Sequence, residues 1–254
     1  MTAKSPVCHA GDLVVPAGKI VTLVGDHTYG TICIHAHGLL RAGPTLQLIA
    51  SAIVIDKDGR LSADGSIPPD VYATGDYEFT GPRTLDESVP HAGVPGRTVW
   101  PDCESLVPGG SAGGALFIIA QKIVVNGVIS ANGGSAMTGN TPFADCGGSS
   151  GSGGGSGGGI SIIANQLLLN GTIAALGGVG GAPGDGGYDA SITPYWSAVG
   201  VAQGYPPTDE SQAIQVGPVG TAGDIKIFVQ ALYAQNGTLH VYGMGVLGFE
   251  TQSV

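Results

Sequence analysis

The sequence predicts an all-β chain, a right-handed parallel β-helix with long loops inserted at one corner. Three observations predict it. A unit of strand-like alternation is written four times, its inner positions stay apolar in every copy, and the long interruptions all begin after the same Ala-x-Gly corner. Similarity at a fixed period marks stacked repeats, in which each unit buries its apolar face only against its neighbours.

The first copy runs from Leu46 to Gly65, the second from Leu116 to Gly133, the third from Ile160 to Gly177 and the fourth from Ile225 to Gly243. Within the second, apolar residues fall at Ile118 and Ala120, then Ile123 and Val125, then Ile129 and Ala131. Residues two apart share a face of a strand, so this spacing describes three short strands with corners between them. Outer positions vary: Gln47, Phe117, Ser161 and Lys226 are equivalent, as are Ser62, Ser130, Ala174 and His240. That variation reads as a solvated wall.

A hairpin reading competes, because Asn126-Gly127 and Asn170-Gly171 are strong two-residue turn signals. Folding back there would place Leu168 and Ile173 on one face with Gln166 and Ala175, and neither face would be cleanly apolar. The coil phase keeps six inner positions apolar in each copy and is preferred, with a β-sandwich as the fallback fold.

The chain of 254 residues reads as one repeat domain, with coils over about 13–65, 114–133, 159–177 and 223–243 and residues 244–254 as a cap or subunit contact. Its 46 glycines show no collagen period, and the hydropathy is positive, which excludes a disordered chain. Nine Lys and Arg against nineteen Asp and Glu leave no basic patch for nucleic acid. No stretch is apolar for long enough to span a membrane as a helix. The segment Met1 to Pro6 has no secretory signal pattern, which implies a protein made in the cytoplasm.

Three insertions interrupt the coils, at 66–112, 134–158 and 178–222. Stacked coils repeat at about 4.8 Å, so equivalent corners lie side by side and the insertions emerge as one lateral lobe. Residues 66–112 hold seven acids against two arginines, and the other two insertions add Asp145, Asp185, Asp189, Asp209 and Glu210. The lobe therefore carries the whole net charge of −10. It also holds Tyr72, Tyr77, Trp100, Tyr188, Tyr195, Trp196 and Tyr205. Aromatic rings among carboxylates suit a saccharide, whose CH face stacks on the ring while its hydroxyls donate to the acids. The same aromatics would equally serve as the lobe's own small core.

The glycine run from 147 to 159 reads either as a flexible linker or as a layer packed backbone against backbone, with 177–181 among its partners. Two outer columns are apolar: Ile49, Ile119, Ile163 and Phe228, then Val54, Val124, Leu168 and Tyr233. Such a ribbon marks a contact surface, here expected to form a homotrimer.

Cys8, Cys33, Cys103 and Cys146 show no zinc-type pairing, and cytoplasmic synthesis makes free thiols the default. A bridge between Cys103 and Cys146 is the one pairing the insertions suggest. Cys33, His35 and His37 alternate as if on one strand, a spacing too long for one metal ion to bridge easily. The acidic lobe lacks EF-hand spacing for calcium. No cofactor is expected and no catalytic residue stands out; the pairs Asp86/Glu87 and Asp102/Glu104 leave a polysaccharide-degrading enzyme as the catalytic alternative.

The repeat Ile-x-Ile-Ile-Ala-x-x-Leu-x-Leu-Asn-Gly-Thr-Ile-x-Ala-x-Gly-Gly, preceded by Gly-Gly-Gly-Ser-Gly-Gly-Gly, resembles glycine-rich β-helical segments of tailed-phage tail fibres and other virion-surface proteins. More distantly it resembles bacterial surface adhesins. The likeness covers mainly 109–180, with fainter echoes at 45–65 and 223–243, and brings no catalytic residues. It implies a virion protein working in host attachment as a tail-fibre or receptor-binding component, or in decoration of a capsid or tail. Its partners would be other virion proteins and a host surface glycan, with no nucleic acid and no membrane insertion.

Overall fold

A computed structural model describes residues 8–9, 11–68, 108–137, 152–181, 220, 222–234, 237–240 and 247–251. Among them there is no helix. Eleven strands form one sheet. They are β1 (Leu13–Val15), β2 (Ile20–Ile34), β3 (Leu39–Ile55), β4 (Arg60–Ser62), β5 (Ala115–Val125), β6 (Val128–Ser130), β7 (Gly159–Leu169), β8 (Thr172–Ala174), β9 (Asp224–Ala234), β10 (Thr238–His240) and β11 (Leu247–Thr251).

All described strand pairings are parallel, and they form two ladders. The long ladder runs β1, the second part of β2 and of β3, then β5, β7, β9 and β11. The short ladder runs through the first part of β2 and of β3, then β4, β6, β8 and β10. Each pass of the chain thus contributes one strand to each ladder before returning one strand spacing further along. The sheet curls so that both ladders face one core, an arrangement consistent with the parallel β-helix class.

Register follows the apolar pattern. Leu48, Ile118, Ile162 and Ile227 are successive partners, as are Ile53, Ile123, Leu167 and Leu232. The six inner positions of the second and third copies are all buried and join one cluster with Leu48, Ile53, Ile55 and Leu61. Burying such aliphatic side chains contributes about 1.5–3 kcal/mol each, which explains why these positions are apolar in every copy. In the fourth copy the closure loosens, for Leu232 is half-buried and Ala234 exposed.

Two expectations change, and the competing hairpin reading falls. The first two strands of each copy are one continuous strand, bent where the register skips the exposed Ser51, Gln121, Asn165 and Gln230. The outer wall is not uniformly solvated, since Ser161 is fully buried and Lys226 is 2% exposed. The Asn-Gly pairs are not hairpin turns. A type I′ turn needs positive φ at both residues, whereas the described non-glycine residues with positive φ are His37 and Asp58, and neither Gly127 nor Gly171 has one. Glycine is needed there for closeness: a Cβ on Gly171 would strike the Gly127 carbonyl, and one on Gly127 the Gly59 carbonyl. Corners of successive coils stack through these backbones, with Thr172 N donating to Gly127 O and Val128 N to Gly59 O, each at 2.9 Å.

The thiol expectation also fails. Cys8 and Cys33 form a disulfide with a Cα separation of 6.3 Å. The pairing depends on β1 lying beside residues 32–34, a distance that no local pattern reveals. Cys103 and Cys146 lie outside the described residues.

Candidate functional site

The glycine-rich stretches flanking the strands carry no strand assignment, yet they are ordered by hydrogen bonds that recur every third residue. Residues 152–158 run against 131–137, with Ser152 N, Gly155 N and Gly158 N donating to Met137 O, Gly134 O and Ala131 O at 3.4, 3.0 and 2.7 Å. On another side Gly153 O and Ser156 O accept from Gly110 N and Gly113 N at 2.8 and 3.0 Å. On a third, Ser152 O and Gly155 O accept from Gly181 N and Gly178 N at 2.9 and 2.7 Å. A period of three with all bonds made to neighbours matches extended polyproline II-type helices, which have no internal hydrogen bonds and three residues per turn.

Only glycine permits this packing. A Cβ on Gly155 would overlap Ser111 O, one on Gly158 Gly114 O, one on Gly178 Gly134 O and one on Gly220 Gly155 O. Of the two readings of the glycine run, the packed layer holds for 152–158, which is buried throughout; residues 147–151 lie outside the described residues.

This layer is the platform from which the insertions leave, and one residue, through its side chain and its backbone, ties their roots together. Ser152, fully buried, donates its hydroxyl to Pro108 O at 2.7 Å and lies 3.1 Å from Met137 O. It accepts from Met137 N at 3.1 Å. Its backbone carbonyl receives Gly181 N. Pro108 is where the first insertion returns, Met137 and Ser152 bound the described parts of the second, and Gly181 is where the third departs. All three therefore meet at one place. Sequence reasoning passed over Ser152 as one serine in a glycine run; nothing in its local pattern distinguishes it from Ser156.

The aromatic candidates Tyr72, Tyr77, Trp100, Tyr188, Tyr195, Trp196 and Tyr205 lie outside the described residues, as do Asp86, Glu87, Asp102 and Glu104. The interface candidates are described. Val54 and Val124 are buried within the single chain, at 6% and 3% exposure. Ile49, Ile119, Ile163, Leu168 and Phe228 are half-buried, and Tyr233 is 57% exposed.

Polar side chains gather at the corners, where they stitch one coil to the next. Asn170 Nδ2 donates to Asn126 Oδ1 at 3.0 Å, and the Asp64 carboxylate accepts from Ser130 Oγ at 2.8 Å and Asn132 N at 2.6 Å. His35 Nδ1 meets Asp56 Oδ2 at 2.9 Å, both groups about half exposed. The strand expected to carry Cys33, His35 and His37 on one face ends at Ile34, because Gly38 N bonds back to His35 O and His37 takes a φ of 58°. Cys33 is spent in its disulfide. Among the described residues no group of three or more His, Cys, Asp or Glu is placed to hold a metal ion.

Set against family models, characterised proteins and solved structures, the chain finds no match in any of the three.

Proposed function

We propose that this chain is a right-handed parallel β-helix whose three insertions leave one corner, and that it is a surface protein of a tailed-phage virion serving in host attachment, as a tail-fibre or receptor-binding component. The convergence of the insertion roots on Ser152 carries the reading. A stiff stack with a hydrogen-bonded glycine platform is a support. Loops concentrated at one place on such a support are the usual carriers of recognition. Those loops also hold the entire net charge and both tryptophans of the chain. The partner that suits them is a host surface saccharide, contacted by Trp100, Trp196 and the neighbouring tyrosines.

The half-buried outer column of Ile49, Ile119, Ile163 and Phe228 suits a homotrimer packed along that wall. In a second use of the same scaffold this wall presses against the shell of a capsid or tail, and the protein decorates the particle and binds no receptor. The disulfide fits a protein that works outside the reducing cytoplasm.

Binding of the fluorescently labelled chain to intact bacterial cells, beside a Trp100→Ala/Trp196→Ala variant, tests the first reading. Saturable binding that the variant loses supports recognition by the insertions. Absence of binding from a correctly folded oligomer on every host strain tried sinks it in favour of decoration.

A further inference from the structure

Among the described residues β2 forms the first coil of the stack, and a clasp closes over its end. Cys8 and β1 lie along the last residues of β2. There β1 pairs with Ile32, Cys33 and Ile34, and buries Val15 with the core. The Asp12 carboxylate ties the clasp together. Its Oδ1 accepts from Thr31 N at 2.8 Å and its Oδ2 from His9 N at 2.6 Å. His35 N donates to Val15 O at 3.0 Å. The Cys8–Cys33 bond locks the far end of this segment to the outer face of the same strand.

We infer that this clasp is a redox-controlled latch: it is open while both cysteines are thiols, and it closes over the first coil once the chain meets an oxidising medium. Three paired residues, one carboxylate and the packing of Val15 and Leu13 on the core hold the segment without the disulfide. A ladder so short at an edge opens readily, because few buried contacts oppose the entropy of releasing it. The covalent bond removes that freedom by restricting the open state.

Closing is two successive thiol–disulfide exchanges with a small-molecule disulfide such as oxidised glutathione. The thiolate of one cysteine attacks the reagent and releases one reduced glutathione. The second cysteine then attacks the mixed disulfide and releases another. The bond formed joins Sγ of Cys8 and Cys33, the glutathione S–S bond is broken, and the two thiol protons and two electrons end on the two reduced glutathione molecules. No such oxidant dominates a reducing cytoplasm, which places closure after the chain leaves its site of synthesis.

The test equilibrates the full chain in reduced and in oxidised glutathione, traps free thiols by alkylation, and follows amide hydrogen exchange with peptide mapping. The expected result is a linked Cys8–Cys33 peptide in the oxidised sample. At Thr31 and His35, exchange should be at least about tenfold faster in the reduced sample, as local opening governs it. Exchange at Ile123 and Leu167 should be equal in both. Cys8→Ser, which leaves the strand β2 untouched, should show the reduced pattern in either buffer. Failure to recover the linked peptide, or equal exchange at Thr31 and His35 in the two redox states, overturns the inference. So does a Cys8→Ser variant that keeps the oxidised pattern.

Discussion

Adding one methyl group to the glycine layer should cost as much as removing several from the core. Gly178 donates to Gly155 O at 2.7 Å and accepts from Gly220 N at 2.8 Å. A Cβ there would overlap Gly134 O and lie 3.0 Å from Ser135 N. All of these are backbone atoms, so no side chain can swing aside. At a compatible position Gly→Ala stabilises by about 0.4–1 kcal/mol through the unfolded chain. At Gly178 the segments 131–137 and 175–181 must separate instead. Overpacking of this kind costs about 1–3 kcal/mol, and each of the two buried hydrogen bonds left unmade adds about 1–3 kcal/mol. Allowing for relaxation, Gly178→Ala should lose about 3–5 kcal/mol, a large part of the ~5–15 kcal/mol that holds a typical domain. Urea unfolding measures it, with Val179→Ala at a neighbouring exposed position as the control. The slope should stay constant and the midpoint fall. A loss below ~1 kcal/mol, or one equal to that of the control, would refute the packed-layer account.

Two further outcomes follow from the same geometry. Ser152→Ala should leave Pro108 O and Met137 N without their side-chain partner, costing about 1–3 kcal/mol. Amide exchange should accelerate at Met137 and stay slow at Gly181, whose bond is to the backbone of residue 152; equal acceleration at both would mean that the platform itself had come apart. The second outcome concerns pH. The Asp12 carboxyl is held below its ordinary value of 3.8, chiefly by the His9 backbone N–H, then by that of Thr31 and by the charge of His9, with desolvation opposing. A depressed folded pKa contributes stability that is present above 3.8 and lost as pH falls through the lower folded value. Thr31 amide protection, corrected for intrinsic exchange, should therefore decline below that pH, and Asp12→Asn should shift the decline or abolish it.

The inner face was legible because strand alternation is local: Ile118, Ala120, Ile123 and Val125 announce their common side within eight residues, and the demand for apolar contact acts on each of them independently. Parallel stacking was legible from the same positions recurring in each copy. The coil formed by β2 was harder to see, since Gly25, Asp26, His27 and Thr28 stand beside Leu46, Gln47, Leu48 and Ile49 in register without sharing their apolar pattern. Among the described residues it has a neighbour on one side over most of its length, and its partly exposed inner positions admit polar residues.

Sequence falls silent where partners are remote. Gly-Gly-Ser-Gly runs have the same composition whether they are tethers or a lattice, and the difference rests on backbone groups from five separate segments arriving at hydrogen-bond distance. Ser152 and Ser156 are alike in sequence, yet one faces Pro108 and Met137 across the roots of the insertions. The partner of Cys33 is set by where β1 crosses the first coil. Periodicity, by contrast, is written along the chain because a side chain's face depends only on its own position in the strand, whereas closeness between distant backbones exists only once the coils have stacked.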